Sequence, residues 1–596
     1  MSENSTAIRG GEFLIRPTAA ADIFIPEEWT EEQLMMKQMT LDFVEQRIIP
    51  KLEEIDNQEE GLVPSLMRES GELGLLGSSV PEEYGGMGLD FKTTMLITEA
   101  IGGAHAFSVS FSAHTGIGTL PILYYGNEEQ KKKWIPGLAS GELKGCYCLT
   151  EPSAGSDANS GKTKARLSED GKHYIINGQK MWITNGGFAD VMIVFAKIDD
   201  DEKLTAFIVD GHAEGITKNP EEKKMGIKGS STRQIFFKDV HVPVENLLYE
   251  REQGFKIAVN ILTIGRIKLG GAVLGAAKDA CTHSTRYANE REQFGRPISK
   301  YGAIRYKLAE SAIRLYTCES AIYRATQNID DAIAALKAGG MEHGDATLKG
   351  IADFAPECAM MKVLGSEVLD YCVDEAVQIH GGMGYSAETR AELAYRDARI
   401  NRIFEGTNEI NRMLTVDMIL KKAMKGEMDL MTPAMAVANE LTGVPDFATP
   451  SSDPFERQLA YVANLKKAIL LVAGGAVQKL MMSLAKEQEI LMNIADMAIW
   501  TYTIESTVLR VQKLAQQKGG TDDLAVQLAI MNVYTYEASE WIHSAGKEAL
   551  LSFAEGDELK MMLMGMKRFC KTEDINPKEA RQLIAMDLIE KNGYTL

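Results

Sequence analysis

From Thr30 to about Glu142, apolar residues recur at helical spacing. Glu31-Glu32-Gln33-Leu34-Met35-Met36 opens one amphipathic helix and Lys92–Ala113 forms another, with Gly and Pro marking the breaks. The period then shortens to two. Lys162–Leu167 alternates, and His173–Ile183 sets Asn177-Gly178 between two strand-like runs, which predicts a hairpin. Ala189–Ala196, Leu204–Val209 and Arg233–Val240 add β-rich runs, so a compact β-barrel or sandwich is expected from about 145 to 250. Helical spacing returns at Gly254 and predicts helices near 254–290, 301–328, 344–379 and 407–424, arranged as a bundle.

The last third repeats the helical pattern. Thr432–Pro454 carries Pro433, Pro445, Pro450 and Pro454 and reads as a linker, and 455–596 is helical again. Lys307–Ala325 aligns without gaps onto Asn493–Val511, with eight of 19 positions identical, among them Tyr316-Thr317 with Tyr502-Thr503 and Glu319-Ser320 with Glu505-Ser506. Ala359–Tyr371 lies more weakly on Ala529–Trp541. The tail therefore reads as a degenerate second copy of the bundle. The expected organisation is an arm (1–29), a helical domain (30–144), a β domain (145–253), a helical bundle (254–428), a linker (429–454) and an extra helical domain (455–596), an α+β chain.

Composition narrows the function. A chain of 596 residues with 45% hydrophobic and 25% charged residues is an ordinary multi-domain globular protein. Its formal charge of −20 argues against nucleic acid and gives no general attraction to an anionic membrane, so an anionic substrate needs a local positive patch. Seven cysteines, scattered from Cys146 to Cys570, read as reduced thiols, and Cys146-Tyr147-Cys148 has no second ligand pair to make a metal site. The N-terminus shows neither an apolar signal core nor an Arg/Ser-rich transit pattern, and no run reaches the roughly 18 apolar residues of a membrane span. A cytoplasmic chain is expected.

Glu405 is the leading chemical candidate. It stands among apolar neighbours before a Gly-Thr break and a helix start, where burial would lift its pKa toward the range of a general base. Read alone, it would far more often be a surface partner of the helix dipole. The nicotinamide fingerprint G-x-G-x-x-G is absent; Gly381-Gly382-Met383-Gly384 follows a helix and reads as a C-cap and loop.

Five segments in series change that balance. They are Tyr147-Cys148-Leu149-Thr150-Glu151-Pro152-Ser153-Ala154-Gly155-Ser156-Asp157, Lys180-Met181-Trp182-Ile183-Thr184-Asn185-Gly186-Gly187, Arg291-Glu292-Gln293-Phe294-Gly295, Gln378-Ile379-His380-Gly381-Gly382-Met383-Gly384-Tyr385 and Phe404-Glu405-Gly406-Thr407. Together they resemble the acyl-CoA dehydrogenase family over roughly residues 30–425, nearest its very-long-chain branch, because about 170 further residues follow. The resemblance implies an N-terminal helical domain, a middle β-barrel and a C-terminal four-helix bundle, with FAD as cofactor. No amino-acid side chain accepts hydride, so a redox cofactor is required for this chemistry.

The site roles that the resemblance implies are specific. Glu405 takes the α-proton of an acyl-CoA thioester, its backbone N–H and Gly406 lie at the thioester, and Phe404 walls the site. A minority of the family carries the base on an earlier helix, at the position of Gly265 here, so Glu405 is left as the base. Tyr147, Leu149 and Thr150 meet the polar edge of the flavin, Ser156 meets the cofactor or the CoA pantetheine, and Trp182 and Thr184 pack on and hydrogen-bond the ring. Arg291, Gln293, Phe294, Gln378, Gly381 and Gly382 reach the FAD of a neighbouring subunit, which implies a homo-oligomer, at least a dimer. Thr407 and Glu409 serve the cofactor's phosphate and ribose region, Glu409 standing where some relatives have Gln, and Arg266 lies near the CoA end. Val109 and Ala113 would leave a deep apolar channel and favour long chains in fatty acid β-oxidation, with electrons passing to electron-transfer flavoprotein. An acyl-CoA oxidase and a non-catalytic scaffold flavoprotein are the alternatives. The tail lacks both the Arg291–Gly295 and the Phe404–Thr407 patterns and is expected to be non-catalytic. It would replace the second dimer of the usual tetramer, with peripheral contact at the inner membrane as its other reading.

Overall fold

The computed structural model describes residues 8–443 and 451–596, and its helices and strands alternate in blocks along the chain. The N-terminal block holds α1 (Glu31–Phe43), α2 (Leu62–Glu72), α3 (Phe91–Ile101), α4 (Ala106–Ser112) and α5 (Glu128–Ser140). Thr30 caps α1: its hydroxyl accepts from Gln33 N at 3.3 Å while Gln33 accepts from Thr30 N at 3.1 Å. The single helix expected over Lys92–Ala113 is two. It breaks at Gly102–His105 because Gly102 packs against the backbone oxygen of Ala272, an approach a Cβ would block, and His105 then turns at φ 50°.

The middle block is one sheet. Its strands are β1 (Gly145–Cys148), β2 (Lys164–Leu167), β3 (His173–Thr184), β4 (Val191–Ile198), β5 (Thr205–Asp210), β6 (Ile216–Lys218), β7 (Thr232–Pro243) and β8 (Leu247–Leu248). They run in the order β6-β7-β3-β2-β4-β5-β8, with β1 parallel to β4. The hairpin expected at Asn177-Gly178 is instead a bulge inside the continuous strand β3. Gly178 must pass so close to β2 that a Cβ would lie 2.5 Å from Thr163 Oγ1, and Asn177 exchanges hydrogen bonds with Asp239 on β7 rather than turning the chain.

The bundle comprises α6 (Gly254–Glu290), a two-stranded hairpin β9 (Glu292–Gln293) and β10 (Arg296–Pro297), α7 (Gly302–Ala338), α8 (Ala355–His380), α9 (Arg390–Ala398) and α10 (Asn408–Met424). The helix expected over 344–379 is divided at Phe354, ahead of Pro356 in the first turn of α8. The expected linker is partly a helix, α11 (Met431–Thr442), which holds Pro433 near its start, where a missing N–H costs nothing; Pro445 and Pro450 lie outside the described residues. The tail is α12 (Pro454–Leu480), α13 (Gln488–Lys518), α14 (Ala525–Phe553), α15 (Gly556–Phe569) and α16 (Pro577–Lys591).

Tail and bundle meet across an internal pseudo-twofold. Arg324 of α7 donates to Glu505 at 3.0 Å and Ser506 at 3.2 Å on α13 and lies over the Tyr502 ring. Reciprocally, Arg510 of α13 donates to Glu319 at 2.9 Å and Ser320 at 3.3 Å on α7 and lies over the Tyr316 ring. Lys278 of α6 pairs with Glu319, as Lys466 of α12 pairs with Glu505 at 2.5 Å. These pairs match α6 to α12 and α7 to α13. Residues 8–29 strap the junction: Phe13, Ile23 and Ile25 are buried, and Thr18 and Glu27 accept from Arg324 and Arg510. Against the expectation from sequence, two described helices, Gly254–Glu290 and Pro454–Lys486, are long and apolar enough to cross a membrane. They begin at the two repeat-related helices α6 and α12; the apolar stretch of the first is 67% buried within the protein and that of the second 39%.

Candidate active site

The loop between α9 and α10 is held in a left-handed kink. Glu405 has φ 58° and Gly406 φ 81°, a conformation that costs a non-glycine residue about 1–2 kcal/mol. Hydrogen bonds offset that cost. Asn411 Nδ2 donates to Gly406 O at 2.8 Å and Thr407 O at 3.0 Å, Lys362 Nζ donates to Gly406 O at 2.8 Å, and Arg266 Nε donates to Glu405 O at 3.3 Å. Thr407 caps α10 by accepting from Ile410 N at 3.2 Å.

The kink aims the Glu405 carboxylate at α6, where a Cβ on Gly265 would lie 2.8 Å from Oε2. The residue as a whole is half-buried, but Oε2 is buried and has no hydrogen-bond partner among the described residues. Burial raises this carboxyl to a pKa of about 7, with Arg266 and Lys362 pulling it back. Lys362, fully buried, is pushed down to about 8 by the same desolvation. The Glu405 backbone N–H finds no acceptor among the described residues. Glu409 is exposed on the first turn of α10.

A second surface adjoins the first. β1 is anchored by His114, which accepts from Gly145 N at 2.9 Å and meets Leu138 O at 2.8 Å. Tyr147 is buried against Phe195, and the charge of Glu405 adds to the burial that holds its phenol well above the usual range. At the end of β1, Lys180 Nζ reaches Leu149 O at 3.2 Å and Glu151 at 2.7 Å, and Met181 N donates to Thr150 O at 2.9 Å. Trp182 follows at φ 61° with half its surface exposed, beside half-buried Thr184. Ser156 lies on the exposed loop after β1.

The third group is remote. Arg291 lies 26 residues beyond Gly265 on or just past α6, roughly 39 Å along the axis. Gln293, Phe294 and Arg291 are exposed, and Phe294 (94% exposed) sits with Gly295 at a two-residue hairpin tip where both have positive φ. Tyr287 stacks on His380 at 4.1 Å, bringing the end of α8, with Gln378, Gly381 and Gly382, beside the base of this hairpin. Gly381 caps α8 at φ 61°, and no protein atom lies within 4 Å of a Cβ built there or at Gly382.

Models of the acyl-CoA dehydrogenase N-terminal, middle and C-terminal domains match residues 30–142, 146–240 and 252–420, and a further acyl-CoA dehydrogenase C-terminal domain model matches 464–568. A probable acyl-CoA dehydrogenase of Bacillus subtilis is 44% identical over 99% of this chain and 98% of its own length. The chain belongs to the acyl-CoA dehydrogenase family. The mitochondrial very long-chain specific enzyme of Macaca fascicularis is 35% identical over 80% of this chain and 71% of its own. A crystal structure of an acyl-CoA dehydrogenase complexed with FAD from Bacillus anthracis superposes with a TM-score of 0.96 at 45% identity, covering 99% of this chain and 100% of that one.

This acyl-CoA dehydrogenase is therefore an FAD-dependent oxidoreductase acting on CH–CH bonds. Its residues fit the cofactor: a half-exposed indole held at a positive-φ bulge of β3, carbonyls and hydroxyls at the end of β1, and side-chain-free backbone at Gly381 and Gly382 suit a planar ring with a polar edge and a diphosphate.

Down the same stripe of α6, Ala272 and Ala276 line a narrow cavity with Gly102, Gly103, Val109 and Val373. Ala113 is buried in the next turn and does not reach it. The expected apolar end is not wholly apolar, because His105 and Asp397, 3.5 Å apart, also line the cavity. Sequence reasoning missed Lys362, Asn408, Asn411 and His114. Lys362 carried a signal, as the one charge in the apolar run Cys358-Ala359-Met360-Met361-Lys362-Val363-Leu364.

Proposed function

We propose that this dehydrogenase oxidises long-chain acyl-CoA thioesters to trans-2-enoyl-CoA in the cytoplasm, as a step of fatty acid β-oxidation, with Glu405 as the base. The buried, unpartnered Oε2 of Glu405, with a pKa of about 7, carries the reading. The α-proton passes to Oε2, the pair it leaves behind becomes the new Cα–Cβ double bond, and the β-hydrogen departs with its own bonding pair as hydride. The Glu405 N–H donates to the thioester oxygen while enolate charge builds there. Phe404 and Tyr147 exclude water, Gly406 gives the thioester close approach, and Arg266 turns positive charge toward the CoA end. FAD, when bound, supplies the two-electron acceptor. Tyr147, Leu149, Thr150, Ser156, Trp182 and Thr184 hold its ring side, and Thr407 and Glu409 its phosphate and ribose side. Electrons would then pass to electron-transfer flavoprotein.

The roughly 39 Å between Gly265 and Arg291 supports a homodimer, since Arg291, Gln293, Phe294, Gln378, Gly381 and Gly382 then serve the second copy's cofactor. The exposed methionines Met431, Met435, Met481 and Met482 near one end of α12 support peripheral contact of the tail with a membrane. Co-flotation with vesicles, lost in a Met481→Ser, Met482→Ser double variant, tests that contact.

Anaerobic titration with octanoyl- and palmitoyl-CoA, followed by flavin absorbance, tests the main reading. Bleaching by palmitoyl-CoA and little by octanoyl-CoA is expected. Bleaching by neither, with FAD bound, would refute the long-chain assignment, and oxygen consumption during turnover would identify an oxidase.

A further inference from the structure

Asp496 belongs to α13, in the tail copy, which lacks counterparts of Glu405 and Gly406. Its Oδ1 nevertheless accepts from Arg412 Nε at 2.7 Å, and Arg412 is the start of an unbroken chain of bonds to the Glu405 loop. Arg412 Nη2 donates to Glu367 Oε2 at 3.0 Å, and Glu367 Oε1 accepts from Asn408 Nδ2 at 3.1 Å. Asn408 Oδ1 accepts from Lys362 Nζ at 2.7 Å, and the same Nζ holds Gly406 O at 2.8 Å. We propose that Asp496 is a positioning residue: through Arg412, Glu367, Asn408 and Lys362, the tail domain fixes the backbone and the charge environment of the catalytic base.

Two observations support a working relay beyond simple packing. Glu367 borders a cavity of about 510 Å³ between α7, α8, α13 and α14, and its side chain is 42% exposed. It therefore has room to leave Asn408 unless Arg412 holds it, and Arg412 is itself shared with Asp496. The loop at the far end is strained at Glu405 and Gly406, so it depends on outside bonds to stay kinked. The charged groups that act on Glu405 are Arg266 from α6 and Lys362 from α8, both set against the larger effect of burial, while Tyr147 from β1 faces it as a neutral phenol. The relay ends on one of them.

The pseudo-twofold supplies the control. Arg581 of α16 stands to Glu310 of α7 and Glu537 of α14 as Arg412 stands to Asp496 and Glu367. That second arrangement leads to no catalytic loop.

The inference rests on Glu405 being the base, and Glu405→Gln in the same assays separates the two claims. In the FAD-loaded enzyme, Asp496→Asn is expected to lower kcat about fivefold with little change in KM, since small misplacements of a reacting group are costly. It should also move the acid limb of the pH profile upward and speed hydrogen exchange in the peptide spanning Phe404–Asn411. Asp496→Glu should recover all three, and Glu537→Gln should change none of them. Unchanged kinetics and exchange in Asp496→Asn would overturn the relay while leaving the base intact, provided Glu405→Gln is inactive. Equal effects from Glu537→Gln would also overturn it, by showing general loosening of the bundle.

Discussion

Thr407 caps α10 through the Ile410 N–H, and Asn576 caps α16 through the Glu579 N–H at 3.3 Å; five residues after each cap stands an arginine bound by two carboxylates. Two residues before each cap lies an acid, Glu405 in one case and Asp574 in the other. There the likeness stops. Where the bundle has Gly406 the copy has Ile575, Glu405 is left-handed with a buried oxygen, and Asp574 is exposed without a positive φ. The helical frame survives in both copies through the same ion pairs. A perturbed carboxyl needs more: a residue that tolerates the kink, and walls that remove water.

The frame is the place for the largest effect. Arg324→Ala and Arg510→Ala each leave a buried carboxylate short of a partner, which costs about 3–5 kcal/mol where a buried pair is broken. Lys466 and Lys278 remain beside the two carboxylates and keep the cost toward the lower end. Similar losses in urea unfolding are expected from the two variants; a large disparity would break the equivalence of the copies.

Glu405→Gln should lower turnover at least about a hundredfold, the lower range for loss of a general base, while Asp574→Asn leaves it unchanged. The same substitution has a signature in stability. Burial raises the Glu405 pKa from 4.5 to about 7, so the folded state keeps a proton that the unfolded chain releases. Stability at this group is full below pH 4.5 and is lost as pH rises through 7. Glu405→Gln should therefore be more stable than wild type at pH 8 and equal to it near pH 4.5, as thermal unfolding at the two pH values would show.

Gly406→Ala comes next. At φ 81° an alanine costs about 1–2 kcal/mol and crowds Asn411 Nδ2 at 3.2 Å, so both melting temperature and kcat should fall. Ile575→Gly, at the same place in the copy, should leave kcat untouched.

How legible these regions were in the sequence follows from the range of the forces involved. Periodicity located α6 and α10 within a residue, because each has a buried stripe and a clear start. The 19-residue match between Lys307–Ala325 and Asn493–Val511 already held Arg324 and Arg510, the residues that now cross between the copies. The failures are long-range. Asn177-Gly178 has the local signature of a hairpin, but the demand on Gly178 comes from Thr163, just ahead of the neighbouring strand β2. The break at Gly102 comes from α6, 170 residues later. Lys362 and Asn408 join the site through bonds to Gly406 O and Glu367 that no local pattern encodes.

Lys362→Met gives the smallest effect and the sharpest reading of the two copies. Lys362 and Arg266 both favour the ionised form of Glu405, against the larger effect of burial. Removing one positive charge raises the Glu405 pKa further, by on the order of one unit or less. Since the ionised carboxylate is the base, the acid limb of kcat/KM, expected near pH 7 in wild type, should move upward. Activity lost at pH 7 should return in part at pH 9, where Glu405 ionises in either protein. The packing disturbance from a buried Lys→Met change is independent of pH, so only the electrostatic part recovers. A uniform loss at all pH values would mean that Lys362 acts through the Gly406 carbonyl alone, and that the charge beside the base, unlike the kink, is not part of what separates Glu405 from Asp574.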